Sequence, residues 1–321
     1  MLRLMSAIAR LGRHASPTAP SSGPRGRPPD GAPYPAEFDP EIYRRYPDLA
    51  AMNDDELLQH YEEHGRTEGR IASAVCCRAD FIALAEMGNA ILEIGPFCSP
   101  AIRKKGVKYF DILDQKLLKE RAKEHKLNPT YIPYIDYVSS NGDLSIVDEK
   151  FDIVFSSHAI EHQPDLIKHL RDVHSILRPE GSYFLIIPDK RFCFDHFIAE
   201  TTLEDVISAH HETARRHRLH SVIEHLAFTT HNDPRRHWSG DHGDRLQSGT
   251  RDKIDSAVRY WRENPDSYID VHAWQFTPAN FRPIIADLNF LSYSDFYPYR
   301  VYDTPYGHLE FMAILRKNGS E

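Results

Sequence analysis

From residue 90 onward, short apolar runs are set apart by polar stretches and by segments of helical period. The runs "AILEIG" (90–95), "VKYFDIL" (107–113), "YIPYIDYV" (131–138), "FDIVFSS" (151–157) and "SYFLIIP" (182–188) read as strands. They are short and rich in β-branched and aromatic residues, which suits strands better than helices. Between the last two, Leu166, Leu170, Val173 and Leu177 recur at 4-3-4 spacing, and Ile167 and Ile176 widen the same stripe. This predicts an amphipathic helix opened by Pro164 and closed by Pro179 and Gly181. A further helix is expected over "TPANFRPIIADLNF" (277–290), followed by strands near "FYPYRVYD" and "LEFMAIL" that form an antiparallel hairpin around "TPYGH". Strands alternating with helices imply a mostly parallel sheet with helical crossovers, an α/β fold.

The amino-terminal part follows other rules. Seven prolines between Pro17 and Pro35 preclude a continuous helix, so residues 1–36 read as a basic, Pro-rich disordered tail; its five arginines without an acid before Asp30 formally resemble an organellar transit peptide. Residues 37–74 carry two short helical patterns. Asp39 caps one with Pro40 at its first position, and Asn53 or Asp54 caps "DELLQHYEEHG", which Gly65 stops. This small helical module is too short for a sizeable core and is expected to pack on the domain spanning 75–321 or on a partner.

Composition narrows the function. A net charge of −8 gives no polyanion-binding footprint, so nucleic acid is not expected as the partner. No apolar run approaches the roughly 20 residues needed to span a bilayer. The four cysteines form no CxxC pair or disulfide framework, which fits a reduced, cytoplasmic setting.

Candidate chemistry gathers where the predicted strands end. The first ends in Glu93, Gly95 and Pro96, the second in Asp111, the third in Asp136, the fourth in Ser156, Ser157 and His158. In an open parallel sheet, ligands lie outside the carboxyl ends of the strands, so these residues face one crevice. Gly95 lets backbone approach a ligand, and Asp111 is placed to accept from a ribose diol. Each residue also has a plain reading: Glu93 as a strand-end charge, Asp111 as a turn residue, and His158, otherwise a catalytic candidate, with His162 as helix-flanking groups.

The succession "ILEIGP", "YFDILD", "FDIVFSSHAIEHQPDLIKHLRDVHSILRPEGSYFLIIPDKRFCFD" and "VHAWQFTPANFRPIIADLNFL" resembles the Rossmann-like, class I methyltransferases that use S-adenosylmethionine. The resemblance implies that Glu93 and Gly95 belong to the loop beside the methionine portion, that Asp111 binds the ribose, that Asp136 lies near the adenine, and that Ser157 and His158 line the floor. It also implies that His272 shapes the pocket. Phe97, Cys98, Ser99 and Pro100 depart from the glycine-rich form of that loop. A dehydrogenase would carry a fuller G-x-G-x-x-G turn ahead of a helix, because a pyrophosphate needs the helix amino end; S-adenosylmethionine has no phosphate. The pattern Asp39-Pro40, Tyr43, Pro47-Asp48-Leu49, His60-Tyr61, Gly65 and Glu68-Gly69-Arg70 resembles a short module found beside bacterial glycosyltransferases. It implies a glycan acceptor in polysaccharide biosynthesis, or a glycan-assembly protein partner for the module. A small-molecule acceptor, lipid-like or aromatic, and a non-catalytic binding role are the competing readings.

An insertion over about 192–270 holds eight of the 19 histidines between residues 210 and 242. Residues 210–220, "HHETARRHRLH", read as a solvated helical face, and 231–242 as a pocket edge in which His231 and His237 could take a proton from an acceptor hydroxyl. Lacking HExxH spacing or a Cys pair, the segment is assigned no metal. Asp189, Lys190, Arg191 and Asp195 are expected at the crevice mouth, the two cations holding an anionic acceptor or forming a surface salt bridge.

Overall fold

The computed structural model describes residues 38–317, apart from 66, 67, 69, 76, 213–215 and 266–268. The tail read over 1–36 lies outside the described residues. One mixed sheet organises the rest. Its strands are β1 (Ile91–Ile94), β2 (Lys108–Asp111), β3 (Tyr137–Val138), β4 (Phe151–Ser157), β5 (Leu177–Pro188), β6 (Phe296–Val301) and β7 (Glu310–Lys317), in the order β3-β2-β1-β4-β5-β7-β6. β1 to β5 are mutually parallel, while β7 runs antiparallel to β5 and β6, so the carboxyl-terminal hairpin forms as the alternation predicts. This is a Rossmann-like α/β sheet with helices on both faces.

Alternation along the strands decides which helix packs where. Leu92, Ile94, Val154, Leu185 and Ile187 turn to one face, beneath α5 (Leu166–Ile176), α6 (Leu203–His211) and α10 (Pro278–Phe290). Ile91, Ile153, Phe155, Phe184 and Ile186 turn to the other, beneath Phe81 and Ala85 of α3 (Arg78–Ala85). Phe81 and Phe155 are fully buried, and truncating either to Ala removes about 3–5 kcal/mol.

Two elements depart from the sequence expectation. β3 contains two residues, preceded by a 3-10 turn over Pro129–Tyr131, because Pro133 cannot donate to a ladder. α5 is capped by Asp165, whose side chain accepts from the Lys168 amide, and ends at Ile176. Pro179 disfavours helical backbone at the preceding Arg178, so Leu177 begins β5 and pairs with Phe151.

The module is a helical pair. α1 (Pro40–Tyr43) is capped by Asp39, and α2 (Asp54–His60) by a reciprocal capping box between Asn53 and Glu56. It encloses a small core of its own: Phe38, Tyr43, Leu49, Leu57, Tyr61 and Ala72. Tyr61 also donates to Asp303 at 3.1 Å, beside the β6–β7 turn. At Gly65 a Cβ would lie 1.9 Å from the Tyr43 hydroxyl. Gly65→Ala is therefore expected to destabilise the module by about 1–3 kcal/mol, read as faster hydrogen exchange at residues 38–72 with exchange in β4 and β5 unchanged.

Candidate functional site

The strand order reverses between β1 and β4, and the carboxyl ends of β1, β2, β4 and β5 share one edge of the sheet. Such a switch point is where open α/β sheets bind ligands. β1 runs into a loop with no helix before α4 (Gln115–Glu124). Gly95 adopts φ +69° and Phe97 φ +41°, and a turn closes with the Ser99 amide donating to the Pro96 carbonyl at 3.0 Å. Gly95 is exposed and Pro96 buried. Phe97 and Cys98 pack on Leu118, Ala122, Ile132 and Ile135. An alanine at Gly95 would touch only the Ala159 Cβ, at 3.5 Å, so the glycine is required by its dihedral angle rather than by space. Gly95→Ala is expected to lose about 1–2 kcal/mol of stability and to weaken cofactor binding several-fold, measured by urea unfolding and calorimetry.

Glu93 builds this loop from beneath. Its carboxylate accepts from the Ala101 amide at 2.7 Å and the Ile102 amide at 3.0 Å, and burial pushes its pKa up to about 7 against the pull of those amides. Asp111, at the tip of β2, accepts from the Leu113 amide at 3.3 Å. Burial raises its carboxyl above the ordinary range although the Leu113, Phe97 and Ile112 amides oppose this. Asp136 does not reach the edge. It precedes β3 instead of ending it, and its carboxylate is held by Lys108 and the Tyr109 amide, both at 3.0 Å. Ser139 and Asn141, hydrogen-bonded at 2.7 Å, occupy the position past β3 that was expected for Asp136.

At the end of β4 the structure adds partners that strand-by-strand reading missed. Ser157 Oγ accepts from Arg78 at 2.9 Å, and Arg78 also donates to both oxygens of Glu310, at 3.1 and 3.0 Å. His158 Nε2 lies 2.6 Å from Glu310. Burial pushes Glu310 up, but His158 and Arg78 outweigh it and hold the carboxyl below its usual range. His158 itself sits at φ +53°, unfavourable for a residue with a Cβ. The one signal in the sequence for Glu310 is its place as the only acid on the last apolar strand.

The histidine-rich insertion folds into α6, α7 (Leu219–Ala227), α8 (Pro234–Trp238) and α9 (Thr250–Glu263). Neither proposed base offers a free ring nitrogen to an acceptor. His231 Nε2 meets the Asp241 carbonyl at 3.0 Å and its Nδ1 accepts from the Asp233 amide at 3.3 Å. His237 is buried, with Nε2 on the His231 carbonyl and Nδ1 on His242 Nδ1, each at 3.0 Å. Among the described residues of 210–220, α6 ends at His211 and His217 is buried rather than solvated. Asp189 binds Arg191 and Thr304, Lys190 donates to the His196 carbonyl at 3.0 Å, and buried Asp195 meets His272. These four charges are bound within the fold.

The edge fits S-adenosylmethionine. Asp111 presents a buried carboxylate with backbone amides as its partners, Gly95 leaves the loop backbone open, and the missing helix after β1 removes the anion site a dinucleotide would need. Residues 99–185 match the methyltransferase domain family. That stretch, which runs from the loop after β1 into β5, is thus similar to a methyltransferase domain. No curated protein matches it. Among solved structures, it is similar to the CcbJ methyltransferase from Streptomyces caelestis (17% identity, 36% of this chain and 52% of that one, TM-score 0.26). It is also similar to the trans-methyltransferase CalH in complex with SAH (13% identity, 75% and 55%, TM-score 0.37). A third is the mitomycin 7-O-methyltransferase MmcR (12% identity, 81% and 60%, TM-score 0.35). The chain therefore spans between about half and three fifths of the length of these proteins. No helix among the described residues is long and apolar enough to cross a membrane. Cys77, Cys98 and Cys193 are free thiols, and Cys76 lies outside the described residues.

Proposed function

We propose that this chain methylates a hydroxyl or amine on a small-molecule acceptor, with a sugar of a surface polysaccharide as the favoured acceptor class. The observation that carries the reading is the pairing of the Gly95 loop and Asp111 with a hydrogen-bonded floor, His158 and Glu310, on one strand edge. S-adenosylmethionine supplies a methyl carbon that bonds to the acceptor oxygen or nitrogen while the sulfur leaves with its electron pair as a neutral thioether. The protein aligns the acceptor and removes its proton. His158 takes that proton: Glu310 holds Nε2 and orients the ring, and Nδ1 remains to act as the base. Hydroxyl-rich acceptors are supported by the module at residues 38–72 and by a cavity whose lining includes the polar Thr201, Asp205, His217, Glu224 and Gln275 beside Ala273 and Trp274.

The test is S-adenosylhomocysteine formation on mixing labelled cofactor with nucleotide-sugars, oligosaccharides, and lipid-like or aromatic hydroxyl compounds. Turnover with a sugar that drops about 100-fold or more in His158→Ala supports the reading. Turnover confined to the apolar acceptors moves the acceptor class, and cofactor binding without turnover on any of them favours a binding role in glycan assembly.

A further inference from the structure

Directly after β4, Glu161 is wholly buried, and neither of its carboxylate oxygens has a hydrogen-bond partner. A buried carboxylate left this way costs several kcal/mol unless a cation faces it. Among the described residues no Lys or Arg pairs with it; its neighbours are imidazoles. The Glu161 carbonyl accepts the Ala273 amide at 2.7 Å and the Trp274 amide at 3.2 Å, which draws His272 alongside Glu161 and His162. His162 Nε2 and His272 Nε2 each stand 3.8 Å from Glu161 Oε1, with the two rings edge to face at 4.7 Å.

The far nitrogens explain the arrangement. His272 Nδ1 lies 2.6 Å from Asp195, and His162 Nδ1 lies 3.1 Å from Asp270. The carboxylate hydrogen-bonded at His272 Nδ1 fixes the tautomer that leaves its Nε2 lone pair facing inward, as metal-binding histidines are held; at His162, Asp270 stands beside Nδ1 as an ion-pair neighbour without an aligned hydrogen bond. A lone pair facing a carboxylate is repulsive unless a cation stands between them. Donor atoms 3.8 Å apart are beyond hydrogen-bond reach, and within about half an ångström of the roughly 3.3 Å edge of a tetrahedral nitrogen and oxygen shell around zinc. The three donors lie within 4.8 Å of one another. His158 Nδ1, 3.9 Å from the same oxygen, marks the side toward the strand edge. The rival cluster, His196, His237 and His242, has no carboxylate, and one nitrogen of His237 is already taken by a carbonyl.

We infer that Glu161, His162 and His272 form a binding site for a zinc-class divalent ion, with Asp195 and Asp270 as the positioning residues behind the two imidazoles. This departs from the sequence expectation of no metal, and it does not depend on the proposed acceptor. Should methyl transfer be established, the ion would fix an acceptor oxygen beside His158 and lower its pKa.

The full chain, stripped with chelator and dialysed, is titrated with Zn²⁺ by calorimetry and with Co²⁺ by absorption spectroscopy. The wild type is expected to take one tight equivalent, to show Co²⁺ d–d bands, and to gain thermal stability with Zn²⁺. Glu161→Gln and His162→Asn, checked for folding by circular dichroism, should lose that equivalent. Asp195→Asn should weaken it about 10- to 100-fold, and His242→Ala should keep it. Absence of the Co²⁺ bands in the wild type overturns the site without recourse to any variant, and would mean that protonated imidazoles neutralise Glu161. Tight binding that survives in Glu161→Gln and His162→Asn, or that is lost only in His242→Ala, overturns it equally.

Discussion

Asp111→Ala is expected to weaken S-adenosylmethionine binding roughly 100- to 1,000-fold. A ribose diol can give two hydrogen bonds to one carboxylate, and bonds to a charged acceptor contribute about 1.5–3 kcal/mol each. With each bond toward the lower half of that span, their joint loss of about 3–4 kcal/mol sets that range. The fold should survive, because the partners of Asp111 are amides of its own loop and of Phe97, which water reaches once the side chain is gone. Burial raises the Asp111 carboxyl, so the free protein takes up a proton there more readily than an exposed aspartate would. Only the carboxylate accepts both hydroxyls. Affinity in the wild type should therefore fall as pH falls through that raised range, and the Ala variant should lack the dependence. Calorimetric titration across about pH 4–8 checks both; an Asp111→Ala variant that binds as tightly as the wild type removes Asp111 from the site.

The second large effect concerns Glu93, whose folded-state pKa of about 7 lies above the ordinary 4.5 because burial disfavours its charge. The folded protein then binds this proton more tightly than the unfolded chain. The stability it contributes is complete below about pH 4.5, and it is lost as pH rises through 7. A rise from 4.5 to about 7 corresponds to something on the order of 3 kcal/mol. Urea unfolding at about pH 4.5 and pH 8 should show the wild type losing stability relative to Glu93→Gln, which has no proton to release. Parallel behaviour of the two proteins would show that Glu93 titrates as an ordinary carboxylate. Glu93→Ala has a different consequence: the Ala101 and Ile102 amides lose their acceptor, at about 1–3 kcal/mol for each one left buried.

What could be read from the residues follows from how local each signal is. The strands that carry the crevice were legible because β1, β4 and the later part of β5 are short, nearly continuous apolar runs buried on both faces of the sheet, a property of consecutive side chains, and Gly95 falls directly after the first of them while Asp111 ends β2. β3 was misread because "YIPYIDYV" is apolar enough for a strand, yet Pro133 breaks its ladder and leaves two paired residues at the sheet edge, which displaces Asp136 from the site. The histidines were visible as a composition but not as an arrangement. His231 and His237 are taken up by carbonyls and by each other's neighbours, while the groups that converge, Glu161 with His272 and His158 with Glu310, are 111 and 152 residues apart. No spacing rule reaches across such distances. "SSHAIEH" held the first half of each pair in plain view, and only the sheet topology brings the second half to it.

If the β1 and β2 tips hold S-adenosylmethionine beside the His158 floor, a crystal structure of the full chain with S-adenosylhomocysteine shows it most directly. Ribose hydroxyls are expected within hydrogen-bond distance of Asp111, the amino-acid portion against the Gly95 loop, and the sulfur turned toward His158. A nucleoside bound away from Asp111, or no binding at millimolar ligand, would contradict this arrangement.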